Sequence, residues 1–237
     1  MRIFTVPNLI TSMNLLCGIL GVICALNGAQ DMALLLMILA AVFDFLDGLA
    51  ARVLHSVSPI GKELDSLSDM VSFGVLPSLM MVEAMSQGEV GSIVAYLPLF
   101  LALMSAFRLA KFNIDKRQTT DFLGLPTPAA ALFTAALVNC NCSVLHHLAA
   151  TAWFYPVTAL VLGLLLVSEI PMFSMKVAKG HKLLDTKRIV FLSLSVAALV
   201  YALAFRQDWV LALLLVFGIY ILENLILVGI PAKKEAR

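Results

Sequence analysis

Long apolar runs separated by short polar segments make up most of this chain. Because a helix needs roughly 20 mostly apolar residues to cross a bilayer, the pattern predicts an all-α, polytopic integral membrane protein with about eight transmembrane helices. The predicted spans cover residues 7–27, 31–53, 63–85, 91–110, 127–145, 148–168, 189–205 and 209–230. The turn between the fifth and sixth spans is the least marked, since the sequence there is only mildly polar.

The composition agrees with a membrane protein. Of the 237 residues, 61% are hydrophobic and 13% are charged, and the mean hydropathy is +0.98. Soluble domains carry about 25% charged residues. We therefore expect membrane lipid, and no nucleic acid, among the partners. No repeat or soluble segment is visible, so residues 1–237 are predicted to form one membrane domain. The cysteines are spaced in a way that predicts no disulfide framework.

The distribution of lysine and arginine predicts the orientation in the membrane. Cytoplasmic loops carry an excess of these residues. With the N-terminus inside, every basic residue except Arg206 falls on the cytoplasmic side. An even number of spans with both termini in the cytoplasm follows, in the cell membrane. The basic segment 170–188 is expected to contact anionic lipids.

Four carboxylates interrupt the second and third predicted spans. They are Asp44, Asp47, Asp65 and Asp69. An acidic residue inside a membrane span is costly unless it is paired or binds a cation. Because the second span runs inwards and the third starts inside, all four are predicted to meet near the cytoplasmic face.

Small residues accompany the first pair of aspartates. Helical periodicity places on one face of the second span the residues Asp44, Asp47, Gly48, Ala51 and Arg52. Gly48 and Ala51 leave this face without bulk, so that a ligand or another backbone can approach closely. Asp65 and Asp69 lie four residues apart and share a face of the third span.

Facing carboxylates indicate a need for positive charge, because repulsion would otherwise drive them to the protonated form. All-oxygen ligation suits Mg²⁺, Mn²⁺ or Ca²⁺. Two such ions can share four carboxylates and clamp a diphosphate during displacement at phosphorus. The pattern thus indicates phosphoryl or phosphatidyl transfer. A divalent-cation transporter would also place carboxylates inside a membrane, but the later spans offer no matching polar pathway in their outer halves.

The segment DFLDGLAARVLHSVSPIGKELDSLSD matches the pattern D-x2-D-G-x2-A-R-x8-G-x3-D-x3-D without a gap. This pattern resembles the signature of the CDP-alcohol phosphotransferases. The resemblance implies two divalent cations that hold the diphosphate of a CDP-linked lipid. Their ligands would be Asp44, Asp47, Asp65 and Asp69, and Asp69 would also act as the base that activates the acceptor alcohol.

The resemblance also implies a nucleotide site and an assembly. The nucleotide-binding residues would be Asn8, Thr11, Gly48, Ala51, Arg52 and Gly61. Asn8 and Thr11 have an alternative role as caps of the first helix. The first six helices, about residues 7–168, would form the catalytic unit, with two additional helices in 189–230. Members of the family are homodimers, so a homodimer is implied here.

Two further stretches, residues 8–18 and 107–131, resemble the phosphatidylserine synthase branch of this family. This resemblance implies CDP-diacylglycerol as donor and L-serine as acceptor. The alternative is the same displacement with glycerol-3-phosphate or inositol phosphate, whose extra phosphate should demand more basic residues around the site. Arg108 and Lys111 are candidates to hold a phosphate or the serine carboxylate, since guanidinium matches a carboxylate well. Both could instead be basic anchors at the cytoplasmic face.

Overall fold

The computed structural model describes residues 3–56, 58–86, 93–115, 122–172, 186–204 and 208–229. Most of this part of the chain is helical, as the apolar pattern predicts. The predictions for Arg206 and for most of the basic segment 170–188 concern residues outside these ranges.

The described helices follow one another along the chain with short connections. They are α1 (Val6–Leu26), α2 (Gln30–Val53), α3 (Pro59–Asp69), α4 (Leu76–Ser86), α5 (Phe100–Ile114), α6 (Thr127–Asn139), α7 (Ser143–Ala149), α8 (Phe154–Val167), α9 (Thr186–Ala204) and α10 (Trp209–Gly229). A π-helical segment, Met70–Val75, joins α3 to α4, and a 3₁₀ helix, Ile93–Leu99, leads into α5. Strands β1 (Phe122–Leu123) and β2 (Pro171–Met172) pair antiparallel.

Several described helices are suited to crossing a membrane. Five stretches are long and apolar enough, namely Val6–Leu26, Gln30–Val53, Pro59–Ser86, Ile93–Ile114 and Trp209–Ile226. A sixth is counted if α6 and α7, which are bent by 99° relative to each other, form one broken span. Helix α8 and the apolar part of α9 are shorter. The predicted all-α, polytopic class is confirmed, whereas the count of eight spans is not.

Several predicted boundaries differ from the helix ends, such as the start of the sixth span, where α8 begins at Phe154 rather than at residue 148. Two of these differences have a visible cause. The third span begins at Pro59 rather than at residue 63, because Ser58 caps the helix and proline fits its first turn. The Ser58 hydroxyl accepts a hydrogen bond of 3.1 Å from the Gly61 amide. The helix of the fifth span ends at Asn139 rather than at residue 145. There the extended backbone of Cys140 turns the chain.

The packing of α1 against α2 forms the core beside the site. Ala33, Leu34, Met37 and Ala40 recur at helical spacing along α2 and are fully buried. The third span, which comprises α3, the π-helical segment and α4, also packs against α1. This arrangement brings the end of α2 next to the start of α3. All four cysteines are free.

The strand pair ties the start of α6 to the end of α8. The Gly124 amide donates to the Ile170 carbonyl at 2.9 Å. Gly124 has a φ of +80°, and a Cβ atom there would lie 2.9 Å from the Ser168 carbonyl oxygen. A side chain at this position would therefore require an unfavourable backbone conformation and would clash with backbone carbonyl groups.

We expect Gly124→Ala to reduce the melting temperature of the detergent-solubilised protein. The φ alone accounts for about 1–2 kcal/mol of unfolding free energy, and the clash with carbonyl groups adds to it. Gly28→Ala is the matched control, since Gly28 has a φ of +75° but a Cβ there would meet nothing within 4 Å. Equal shifts in the two variants would show that the packing around Gly124 contributes nothing.

Candidate active site

A cleft of about 180 Å³ opens between the start of α1, the end of α2 and the start of α3. Its walls combine small and polar side chains. They are Pro7, Asn8, Thr11, Asp47, Gly48, Ala51, Ser56, Ser58, Gly61, Lys62 and Asp65. A Cβ atom at Gly48 would meet no other atom within 4 Å, so the glycine leaves open space there. The cleft is thus available to a ligand.

Three carboxylates stand together beside this cleft. Asp44, Asp47 and Asp65 each offer an oxygen atom, and these atoms lie within 4.8 Å of one another. Two buried oxygens, Asp47 Oδ2 and Asp65 Oδ1, have no hydrogen-bond donor among the described residues. Grouped carboxylate oxygens without donors fit a hard divalent cation. The residues present therefore suit the metal that the sequence pattern predicts.

Asp69, the fourth carboxylate, is held separately. It is the last residue of α3 and is 8% exposed. Its Oδ1 atom accepts a hydrogen bond of 3.2 Å from Asn14 Nδ2 on α1. Asp69 is close enough to Asp44 and Asp65 for their charges to interact. The structure therefore groups three of the four predicted ligands and places the fourth against α1, and the complete set of four stays a prediction.

Most of the predicted nucleotide-binding residues line the cleft. These are Asn8, Thr11, Gly48, Ala51 and Gly61. Arg52 is the exception, because its side chain is exposed and its Nε donates to the Gly48 carbonyl at 2.8 Å. Arg52 therefore covers the end of α2 rather than the wall of the cleft.

Helix α1 is capped by Thr5, which is not among the predicted site residues. Thr5 occupies the capping position, and its hydroxyl accepts a hydrogen bond of 3.4 Å from the Asn8 amide. The Asn8 side chain donates to the Ile3 carbonyl at 2.7 Å, and the Thr11 hydroxyl donates to the Pro7 carbonyl at 3.0 Å. The alternative role of Asn8 and Thr11 as caps is therefore wrong.

Three polar residues of the cleft were missed from the sequence. Ser56, Ser58 and Lys62 surround the turn between α2 and α3. The Ser56 hydroxyl is buried and has no partner among the described residues. Lys62 Nζ donates to the Asn113 carbonyl at 2.9 Å and so joins α3 to α5. A Ser-Pro pair is a helix-start signal that could have identified Ser58, but no sequence signal marks the other two.

Arg108 and Lys111 lie on α5 but have different surroundings. Arg108 is only 8% exposed, its guanidinium carbon lies 5.0 Å from the centre of the Phe112 ring, and its charge interacts with Asp69. Such burial does not fit a basic anchor, which extends towards water. Lys111 Nζ lies 3.5 Å from Glu169 Oε1 and 3.4 Å from the Val167 carbonyl oxygen. Lys111 therefore binds the end of α8.

Comparison with known proteins identifies the family. Residues 4–167 match the family described as CDP-alcohol phosphatidyltransferase. The chain belongs to this family. It is 36% identical over 129 residues to the CDP-diacylglycerol–serine O-phosphatidyltransferase of Bacillus subtilis. The aligned region covers 54% of this chain and 71% of that relative. The Helicobacter pylori protein of the same name is 33% identical over 198 residues, or 81% of each chain.

Relatives of this CDP-alcohol phosphatidyltransferase also occur in archaea. The archaetidylserine synthase of Methanothermobacter thermautotrophicus is 36% identical over 128 residues, which is 53% of this chain and 54% of that relative. The family match includes the cleft and all four aspartates and ends at residue 167. Helices α9 and α10 lie beyond it.

We expect Asp47→Asn and Asp65→Asn to weaken the binding of Mn²⁺ by at least about ten-fold, because each removes a charged oxygen ligand. The measurement is a titration followed by the electron paramagnetic resonance signal of free Mn²⁺. Asp31→Asn is the matched control, since Asp31 lies in the first turn of the same helix, at the opposite end from the cleft. If all three variants bound Mn²⁺ as tightly as the parent protein, a metal site at the three aspartates would be excluded.

Proposed function

We propose that this enzyme transfers the phosphatidyl group of CDP-diacylglycerol to the hydroxyl of L-serine, giving phosphatidylserine and CMP. The observation that carries the proposal is the group of Asp44, Asp47 and Asp65 beside a cleft with small residues in its wall. The names of the bacterial relatives support serine as the acceptor.

In this proposal the cleft binds the CDP part of the donor lipid. Gly48 and Ala51 give the nucleotide close access to α2, and Asn8 and Thr11 offer polar groups from α1. Gly61, in α3, also lines the cleft, and a Cβ atom there would lie 3.0 Å from Asn8 Oδ1. The diphosphate would then reach the neighbouring carboxylates.

The carboxylates would hold two divalent cations, Mg²⁺ or Mn²⁺, with Ca²⁺ as a further candidate. Asp44, Asp47 and Asp65 form the observed group, and Asp69 is proposed to complete it. When bound, the cations supply the positive charge that stabilises the diphosphate and the departing CMP. Without that charge the carboxylates would repel the donor, since both carry negative charge.

Asp69 is proposed to accept the proton of the serine hydroxyl while the hydroxyl oxygen attacks the lipid-side phosphorus. The bond between serine oxygen and phosphorus forms, and the bond between that phosphorus and the CMP oxygen breaks. Asn14 holds Oδ1 of Asp69. The second oxygen, Oδ2, would therefore be the one that meets the acceptor.

Arg108 is proposed to hold the carboxylate of serine. Its guanidinium is buried and interacts with the charge of Asp69, so it lies on the acceptor side of the site. Guanidinium offers paired donors that match a carboxylate. Lys111, the other candidate, already contacts Glu169 and the Val167 carbonyl. We therefore assign the acceptor to Arg108 alone.

The alternative acceptors, glycerol-3-phosphate and inositol phosphate, carry an additional phosphate. Among the described residues, Arg108 is the buried cation near Asp69. Two exposed cations lie at the cleft, where Lys62 is hydrogen-bonded to the Asn113 carbonyl and Arg52 to the Gly48 carbonyl. A single buried guanidinium can balance the one negative charge of a carboxylate, whereas a dianionic phosphate needs more positive charge. The charge around the site therefore supports serine.

A divalent-cation transporter is disfavoured by the packing of α2. Beyond the acidic cluster, its buried face consists of Ala33, Leu34, Met37 and Ala40, all without exposed surface. Ions would need polar groups or water along this part of the helix. In the described ranges, the buried face of α2 offers no such polar groups between these residues and the acidic cluster.

The site is proposed to face the cytoplasm, in the cell membrane, with both termini on that side. The excess of lysine and arginine there supports the assignment. Residues of about 7–168 would form the catalytic unit and residues 189–230 two additional helices. A homodimer is proposed from the family resemblance alone.

The direct test is a product assay with purified protein in detergent, CDP-diacylglycerol and Mg²⁺ or Mn²⁺. L-Serine, glycerol-3-phosphate and inositol phosphate are offered separately while CMP release is measured. We expect release with serine alone. Release with another alcohol instead would replace the acceptor and keep the chemistry. No release with any of them, from protein that binds CDP, would overturn the proposal.

Gly48→Ala should stabilise the protein and weaken CDP binding at the same time. Alanine is favoured over glycine inside a helix by about 0.5–1 kcal/mol, and a Cβ atom at position 48 clashes with nothing. The new methyl group would occupy the cleft and lower the affinity for CDP by about ten-fold.

Gly218→Ala is the control for this test. It makes the same helix-favouring change in α10, where a Cβ atom would have an ordinary contact of 3.7 Å with Phe133. The expected result is the same gain in melting temperature with unchanged CDP affinity, measured by calorimetry. If Gly48→Ala bound CDP as tightly as the control does, the nucleotide would not occupy the cleft.

A further inference from the structure

Helix α1 and the third span approach each other closely just beyond Asp69. A Cβ atom at Gly18 would lie 3.0 Å from Ser72 Cα and 3.1 Å from Ser72 Cβ. These distances are shorter than the optimal separation of non-bonded carbon atoms, so a side chain here would be repelled. Glycine at position 18 therefore lets the Ser72 side chain rest directly on the backbone of α1.

Two hydrogen bonds connect the two helices at this contact. Asn14 Nδ2 donates to Asp69 Oδ1 at 3.2 Å, and the Ser72 hydroxyl donates to the Asn14 carbonyl at 3.1 Å. The Ser68 hydroxyl donates to the Leu64 carbonyl of its own helix at 2.8 Å and lies 3.4 Å from the Thr11 carbonyl oxygen of α1. Asn14, Asp69 and Ser72 are buried. A slip by one helical turn, about 5.4 Å, would break both bonds at once. Together they fix the register of the third span on α1.

Asn14 takes part in two of these bonds. Its carbonyl oxygen accepts from Ser72, and its side-chain amide donates to Asp69. A carboxylate only accepts hydrogen bonds, so the amide nitrogen must face Asp69. The opposite atom, Asn14 Oδ1, is buried and has no donor among the described residues. A buried amide oxygen without a donor is unfavourable, which indicates that Asn14 serves the contact with Asp69 rather than stability.

The helix geometry changes directly after Asp69. Helix α3 ends at this residue, and the π-helical segment begins at Met70. A π-helix has more residues per turn than an α-helix. The direction in which Asp69 points relative to the following residues is therefore not fixed by α-helical geometry. The hydrogen bonds of Asp69 and Ser72 to α1 lie on the two sides of this change. They therefore set the orientation that the helix itself leaves undetermined.

We propose that Asn14 and Ser72 are positioning residues that hold one oxygen of Asp69 against α1 and so present the other oxygen to the acceptor hydroxyl. Ser72 fixes the position of Asn14, and Asn14 fixes Asp69. The negative charges of Asp44 and Asp65 would otherwise push this carboxylate away. The inference rests on the proposed role of Asp69 in accepting the hydroxyl proton.

The test compares Ser72→Ala and Asn14→Ala with the parent enzyme. For each variant, kcat and the KM for CDP-diacylglycerol are measured by CMP release, and the affinity for Mn²⁺ by electron paramagnetic resonance. A misplaced reacting group costs up to about 100-fold in rate, so we expect kcat to fall by roughly 10- to 100-fold. The KM should change by less than about two-fold, because the residues that line the cleft are untouched. The Mn²⁺ affinity should fall by less than the roughly ten-fold loss expected for Asp47→Asn, because Asp44, Asp47 and Asp65 keep their places and only the fourth carboxylate is misplaced.

Ser78→Ala is the matched control. Ser78 is a buried serine of the same span, but its hydroxyl donates at 2.8 Å to the Gly74 carbonyl of its own span and not to α1. Its loss should leave kcat within about two-fold of the parent enzyme, as expected for a substitution away from the reacting groups. The double variant Asn14→Ala, Ser72→Ala should be no slower than the slower single variant, since both act through one carboxylate.

Equal losses in Ser72→Ala and Ser78→Ala, or additive losses in the double variant, would overturn the inference. If Ser72→Ala does not fold, as judged by its melting temperature and gel filtration, Asn14→Ala alone provides the comparison with Ser78→Ala. An inactive Asp69→Asn variant together with an unimpaired Ser72→Ala variant would refute the positioning role while keeping the proposed function. An active Asp69→Asn variant would refute the role of Asp69 itself.

Discussion

Negative charge concentrated between apolar helices is the constraint on which this structure depends. Asp44, Asp47 and Asp65 bring their oxygens within 4.8 Å of one another, and carboxylates in such proximity are stable as anions only beside positive charge. In a membrane protein, water cannot supply that compensation freely. This is why we propose that a cation, or a ligand with bound cations, takes part in the chemistry of the site.

The remainder of the fold serves to hold these charges next to an open space. Apolar packing of α1 on α2 and on the third span places the end of one acidic helix beside the start of the other. Small residues such as Gly48 keep the adjacent cleft open, and Gly18 allows Ser72 to reach the backbone of α1. Arg108 brings one buried positive charge close to Asp69. The packing of the helices thus places the acidic group beside a cleft that a ligand can enter.

The sequence predicts this arrangement to the extent that it is local. Spacing along single helices predicted α1, α2 and the shared face of Asp47 and Gly48, because helical periodicity follows from sequence alone. The bond between Asn14 and Asp69 joins residues 55 positions apart, and no periodic pattern encodes such a pair. The inward burial of Arg108 was undecided for the same reason, since arginine near the end of a span is also an ordinary interfacial residue.

The most direct measurement is a crystal structure of the protein with CDP and Mn²⁺, in which anomalous scattering locates the metal. Two anomalous peaks among Asp44, Asp47, Asp65 and Asp69, with the diphosphate in contact with them, are the predicted result. CDP bound in the cleft with no manganese at these aspartates, or manganese at another place in the protein, would contradict a metal-dependent transfer at this site.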